Sequence, residues 1–380
     1  MSQGLGNLAD PVAAGRALGL FEVPATTLAR LAGAVTLLRT TLAGERAPVA
    51  PTPYEVLAGL GCSRLLHYAP RGIRRFQEPV LLVPSLINRP YILDLMEGVS
   101  LVQALLDAGF EAYLVDWGDP GEEEVEAGFA TYVGERLPAF LEATCRHAGA
   151  ERAHLLGQCL GGTMTAALAA VDDTHIASLV HLTAPMTFHD DGMLSAWSRA
   201  PFFDAAAFAL AFGNIPTWIT QPSFVVLRPL GQAAKVLRLY QNLGDPRFLT
   251  FFRCLETWIN DNVSIPRAFY VDLIERLYRR DGLYRGELKI GGKQVRLEDV
   301  RVPVLTIAAS EDHIVPPESA LAGHPRFASA DKEAVTIRGG HIGVVVGGRG
   351  RRELWRRTTQ FFQARSTALG GETEAEEAEG

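Results

Sequence analysis

The densest chemical signal in the chain is Gly157-Gln158-Cys159-Leu160-Gly161-Gly162, which follows an apolar run and opens an alanine-rich stretch. A nucleophile carried on a strand-to-helix turn between glycines is the arrangement of a nucleophile elbow. Glycine at 157 and 161 lets the chain turn sharply without a β-carbon clash. At the N-terminus of the following helix, the helix dipole favours thiolate over thiol. The N–H of Leu160 is placed to help hold an oxyanion. The bland alternative is a buried cysteine in a tight turn; the agreement of spacing with both flanking elements favours the nucleophile.

A thiolate needs a base, and the base needs an orienting acid. Behind such an elbow the chain order is nucleophile, acid, histidine. Asp312 lies in SEDHIVPP, just past the apolar run VPVLTIAA, and His341 lies in GGHIGV after the short run 334–337. His341 is therefore the candidate base and Asp312 its orienter. Taken singly, Asp312 could cap the turn before Pro316-Pro317, and His341 could be an ordinary loop histidine. His313, beside Asp312, is given a supporting role. Asp116-Trp117 reads as structural, and Cys62, Cys145 and Cys254, with no elbow around them, read as packing residues.

The elements that would position these groups are legible as short apolar runs alternating with helical stretches. Residues 79–86 (PVLLVPSL), 111–117 (EAYLVDW), 154–156 with their flanks, 179–184 and 302–309 read as strands. Residues 91–108, 129–148 and 163–170 read as helices. Such alternation implies crossover connections and an α/β fold, a mostly parallel sheet with helices on both faces. From about 186 to 298 the alternation stops and aromatics accumulate, which marks a mainly helical insertion over one end of the sheet. Residues 11–45 carry apolar groups at helical spacing, and a proline-rich linker (47–53) closes a segment 1–50 ahead of the domain 51–365. The tail 366–380, rich in glycine and glutamate, is expected to be disordered.

Composition narrows the partners. The formal net charge is −7, and the last nine residues hold five glutamates, so the rest of the chain is close to neutral and nucleic acid is not expected as a partner. Four cysteines without a CxxC pair read as reduced thiols, the start of the chain lacks the pattern of a signal peptide, and no run of about 18 apolar residues suggests a membrane span. A cytoplasmic protein is the expectation. No metal-ligand spacing and no phosphate-binding glycine loop appear, so no metal and no nucleotide cofactor are expected.

The elbow GQCLGG resembles the lipase box of polyhydroxyalkanoate synthases, in which cysteine replaces serine. NRPYILDL (88–95), YLVDWGDP (113–120), SEDHIVPP (310–317), GGHIGVVVG (339–347) and WINDNVSIPRAFY (258–270) are similar to segments of that family in the same order. The resemblance covers about 50 to 350, and the family's triad falls on Cys159, Asp312 and His341. It implies an α/β-hydrolase fold and an acyltransferase that polymerises (3R)-3-hydroxyacyl-coenzyme A, with no cofactor beyond the coenzyme A of the substrate. A second oxyanion donor would come from the loop after Val83, near Leu86. The length is similar to that of the short synthases that work with a second subunit. That subunit, a homodimer and the surface of a polymer granule are the candidate partners besides substrate and growing polyester. A thioesterase or hydrolase, an intracellular depolymerase and a non-enzymatic granule protein are the alternative readings. Gly59-Leu60-Gly61-Cys62 departs from the family's more charged segment and leaves the pairing of that strand open.

Overall fold

In a computed structural model of the chain, residues 25–227 and 229–370 are described. The stretch of expected N-terminal helix before residue 25, and residues 371–380 of the acidic tail, lie outside the described residues. The chain divides into two compact units, one of residues up to 49 with 224–260, the other of 50–223 with 261 onward. The first contains helix α1 (Ala25–Leu42) and the helices Pro229–Asn242 and Pro246–Asn260. Its close approach rests on Gly33, where a β-carbon would stand 1.6 Å from the carbonyl oxygen of Leu243. Within it Lys235 and Glu256 form an ion pair of 2.9 Å.

The second unit is built on one eight-stranded sheet. Its strands are β1 (Glu55–Leu60), β2 (Ser63–Tyr68), β3 (Val80–Val83), β4 (Ala112–Asp116), β5 (Ala153–Gln158), β6 (Ile176–Leu182), β7 (Val304–Ala309) and β8 (Lys332–Ile337). They lie in the order β1-β2-β4-β3-β5-β6-β7-β8, and β2 alone runs against the rest. All four side chains of β3 are at 0% exposure. Each such side chain contributes about 1.5–3 kcal/mol through the hydrophobic effect. Three of the observed strands, β3, β4 and β7, are shorter than the apolar runs that announce them. The run 79–86 stops as a strand at Val83 because Pro84 has no N–H for the ladder.

Two expectations are corrected by local chemistry. The helix expected over 91–108 is confined to α2 (Leu101–Asp107). Ahead of it stand a 3₁₀ turn (Pro90–Leu93) and a small hairpin of Asp94–Met96 with Val99–Ser100. Gly98, at φ +73°, makes the hairpin turn, and Ser100 starts α2 by accepting from the N–H of Gln103 at 2.9 Å. Asp94 is buried and accepts from the N–H and hydroxyl of Thr52. Small polar side chains here satisfy backbone groups outside a helix.

The helix over 129–148 is interrupted by a π-turn (Tyr132–Arg136) before α3 (Leu137–Ala148). Pro138 offers no N–H to a regular turn, which is where a widened turn is accommodated. Helix α4 (Leu160–Val171) follows β5 directly. Further on, the unit adds Met193–Ser198, Ala205–Phe212, Arg267–Asp272 with a π-turn (Leu273–Arg279), and the long α5 (Gly348–Gln363).

The segment whose pairing the sequence left open is the β1–β2 hairpin, with Gly61-Cys62 as its turn and Leu60 opposite Ser63. Gly61 takes φ +57°, and a β-carbon there would lie 1.9 Å from Oε1 of Glu124. That carboxylate accepts from the N–H of Cys62 at 2.8 Å and pairs with Arg136 at 2.5 Å. Arg136 also donates to the hydroxyl of Ser63 and lies over the ring of Tyr132. The pair ties the hairpin to the helical layer. Glu124→Ala leaves the guanidinium buried without its partner, and the expected loss is about 3–5 kcal/mol, read as a lower urea midpoint. A loss below about 1 kcal/mol would instead mark the pair as solvated.

Candidate active site

Cys159 stands between the end of β5 and the first residue of α4, with φ 55° and ψ −129°. Such a backbone conformation costs a non-glycine residue on the order of 1–3 kcal/mol and persists only where the surroundings hold it. Here Cys159 N–H donates to Leu182 at the end of β6 (2.9 Å), and the N–H of Gly162 donates to the Cys159 carbonyl (2.9 Å). The sequence reading placed the freedom to turn in Gly157 and Gly161. Neither has a positive φ; the nucleophile carries the strained conformation itself. The glycines supply space instead. A β-carbon on Gly161 would stand 1.9 Å from the carbonyl oxygen of Val83, and one on Gly157 would stand 2.4 Å from Cα of Gly162. The elbow is a packing solution more than a flexible one.

Asp312 and His341 reach the same place by an extension of the β7–β8 pairing. Ser310 donates to Ile337 and Glu311 to Gly339, so the loops that leave the two strands stay side by side. His341 Nδ1–H donates to Oδ2 of Asp312 at 2.7 Å. The other carboxylate oxygen, Oδ1, accepts from the N–H groups of Ile314 and Val315, both at 2.9 Å. The two roles weighed for Asp312, turn cap and histidine orienter, are thus filled by its two oxygens. With Nδ1 taken, Nε2 is the ring nitrogen left for the thiol, and Cys159 acts on the imidazole alongside Asp312.

All three residues are buried: Cys159 is 7% exposed, Asp312 6% and His341 5%. Burial alone would disfavour the imidazolium. The negative charges and hydrogen bonds of Cys159 and Asp312 outweigh it and push His341 up to about 10. Cys62 and Cys145 lack such a partner, and burial pushes each thiol up to about 11, which keeps them protonated.

Around the dyad, Leu86 is buried in the same core cluster as Cys159 and Leu160. Among the described residues, neither the N–H of Leu160 nor that of Leu86 donates a hydrogen bond to another residue. Trp117 steadies this loop by donating from Nε1 to the Pro84 carbonyl at 3.0 Å, and Asp116 pairs with Arg64. Asp261 takes Arg89 and Tyr91 at 3.1 and 3.0 Å, and Asn262 takes Asn88 at 2.9 Å. His313 is half-buried beside Asp312, and among the described residues no hydrogen bond joins the two.

Tyr278 escaped the sequence reading. It lies in the π-turn Leu273–Arg279, packs edge-on against Phe188 at 5.0 Å, and is raised by burial and by the charges of Cys159 and Asp190. A widened turn leaves no apolar period to read, so only the fold brings this phenol near the nucleophile.

Because His341 is raised above its unfolded value, its contribution to stability is complete below about pH 6.5 and is lost as pH climbs through about 10. Urea midpoints should therefore fall between pH 7 and 10. In Cys159→Ala the fall should be smaller, since one of the two charges that favour the imidazolium is gone. Equal slopes in the two proteins would mean that the sulfur does not hold the proton on His341.

Comparison with known proteins agrees with this architecture. The family model described as alpha/beta hydrolase fold matches residues 78–347, and the model described as the poly-beta-hydroxybutyrate polymerase (PhaC) N-terminus matches residues 44–105. The poly(3-hydroxyalkanoate) polymerase subunit PhaC of Haloferax mediterranei is 33% identical over 90% of this chain and 71% of its own. That of Thiocystis violacea is 30% identical over 78% of this chain and 84% of its own. Among solved structures, a monoglyceride lipase variant from Saccharomyces cerevisiae aligns with a TM-score of 0.58 at 16% identity, covering 84% of this chain and 96% of its own. An esterase from Thermogutta terrifontis aligns with a TM-score of 0.51 at 16% identity, covering 83% and 100%. At such identities the structures speak for the fold, and the sequence relatives for the family. The chain belongs to the poly(3-hydroxyalkanoate) polymerase family of α/β-hydrolase-fold enzymes.

Proposed function

We propose that this chain polymerises (3R)-3-hydroxyacyl units from coenzyme A thioesters through a thioester on Cys159. The observation that carries the reading is a buried cysteine on a strained elbow, electrostatically coupled to a buried histidine that a carboxylate holds by Nδ1. Membership of the polymerase family supplies the substrate class.

The Cys159 sulfur attacks the thioester carbonyl, and the oxyanion that forms is met by the N–H groups of Leu160 and Leu86. Collapse of this intermediate expels coenzyme A, which leaves with the proton held on His341. A thiol suits this exchange because one thioester replaces another at nearly equal energy, so the acyl group stays reactive. The 3-hydroxyl of another unit or of the growing chain then loses its proton to His341 and attacks the acyl-enzyme. Cys159 departs as the thiolate, the ester bond is formed, and the imidazolium is restored. Asp312 orients throughout. Its two oxygens are already engaged and its side chain is 0% exposed, which leaves His341 rather than Asp312 to activate the hydroxyl. His313 supports the Asp312 loop, and burial of the triad limits the water that would end the chain as free acid. No cofactor is required beyond the coenzyme A of the substrate. A second synthase subunit, pairing of two copies and residence at polymer granules complete the proposal. Among the described residues no helix is long and apolar enough to cross a membrane.

The test is thiol release from (3R)-3-hydroxybutyryl-coenzyme A with collection of the product, in purified form and again in lysate of the native host. Wild type should leave insoluble polyester, Cys159→Ala should show only background, and Asp312→Asn should be slower by about 10²–10⁴-fold. Thiol release that leaves only soluble hydroxy acid would replace the polymerase with a thioesterase. Unchanged release in Cys159→Ala would remove the nucleophile from the mechanism.

A further inference from the structure

Far from Cys159, at the opposite end of the sheet, three side chains with ligating atoms converge. Glu55 at the start of β1 is paired across the hairpin with His67 of β2, and His67 is in turn opposite Tyr113 of β4. His147, near the end of α3, comes onto the same row, its ring 4.5 Å from that of His67. One ligand atom each of Glu55, His67 and His147 lies within 4.8 Å of the others. No pair of these residues has metal-ligand spacing in the sequence, so only the fold assembles them.

The neighbours of the cluster are arranged as those of a metal site are. His67 is bonded at Nδ1 to Oε1 of Glu55 (2.7 Å) and at Nε2 to Oε1 of Glu111 (2.8 Å), and Glu111 is pinned by Arg74 (2.7 Å). His147 is held at Nδ1 by the hydroxyl of Tyr113 (2.7 Å). A ligating histidine ordinarily has its second nitrogen fixed by a carboxylate or similar group, which sets the tautomer and the ring orientation. Both histidines meet that condition here. The buried anchor is His67, whose side chain is 8% exposed, while Glu55 at 62% and His147 at 39% leave an entry path and room to adjust. Once the proton between His67 and Glu55 has left, two carboxylates against one guanidinium leave the cluster one negative charge, which suits a dication.

We propose that Glu55, His67 and His147 bind a zinc-class divalent cation that staples the β1–β2 hairpin to α3. The donor set of two imidazoles and one carboxylate fits zinc rather than magnesium or calcium, which take oxygen ligands. Ligand distances near 2.0–2.2 Å set tetrahedral ligand atoms roughly 3.4 Å apart, so Glu55, now 2.7 Å from His67 Nδ1, draws back to admit the cation while His147 adjusts to it. Binding releases the proton shared by His67 and Glu55. This site is independent of the polymerase reading.

The experiment uses the full-length, tag-free chain carrying Cys159→Ala, so that zinc held by the Cys159–His341 dyad is not counted. After chelator treatment it is titrated calorimetrically with zinc chloride, and cobalt(II) absorption reports the ligand geometry. One equivalent should bind, raising the thermal midpoint, with no comparable effect of magnesium. Glu55→Gln and His147→Gln, both at the surface and checked for folding by circular dichroism, should each weaken binding at least about tenfold. Absence of saturable binding at millimolar zinc would overturn the proposal and leave a proton-bridged ion network. Undiminished binding in either folded variant would overturn it too.

Discussion

Where the first turn of α4 meets the end of β3, backbone rests against backbone, and the geometry of the whole site follows from that contact. The approach leaves no room for a side chain at Gly161, whose β-carbon would fall 1.9 Å from the Val83 carbonyl oxygen. Gly162 is equally tight against Ala184, where the gap would be 2.3 Å. With the helix pressed down on the sheet in this way, the residue that joins them must turn within one step, and Cys159 takes a conformation that side chains rarely adopt. The strain is sustained by hydrogen bonds at both its N–H and its carbonyl. The same approach brings the carbonyls of Val83 and Pro84, at the start of the loop after β3, against the first turn of the helix.

The acidic half of the site rests on a different device. Beyond the last residues of β7 and β8 the ladder runs on for two more hydrogen bonds, and only then do the chains diverge. This sets Asp312 and His341 opposite each other with little freedom. Asp312 then uses one oxygen for two backbone N–H groups of its own turn and the other for the imidazole. A carboxylate locked in this way can orient a histidine without following it, since any rotation would break three bonds together. Charge, burial and hydrogen bonding therefore act on one proton, that of His341, and the interactions with Cys159 and Asp312 prevail over the cost of desolvation.

Elements set by local chemistry were easier to read in the chain than those set by partners. The strands of the buried sheet show as runs of apolar residues because both faces are covered, and their ends are marked by residues such as Pro84 that cannot continue a ladder. The same reasoning overextended the helix at 91–108, because apolar spacing there coexists with Gly98, Ser100 and Asp94, which direct the backbone elsewhere. The β1–β2 hairpin was obscure for another reason: its turn is stabilised by Glu124 and Arg136, which approach from a distant part of the chain.

From the sequence alone came the choice of Cys159, Asp312 and His341 as candidates, the alternation that makes an α/β sheet, and the similarity to one family, because each is written in residue type, order and spacing. The tertiary structure decided that the strain of the elbow falls on the cysteine and not on its glycines. It also decided that both oxygens of Asp312 are spoken for, that Tyr278 packs against Phe188, and that Glu55, His67 and His147 form one cluster. These depend on distances between groups far apart in the chain. Such distances are set by how closely helix and sheet can pack, and no local pattern of residues records them.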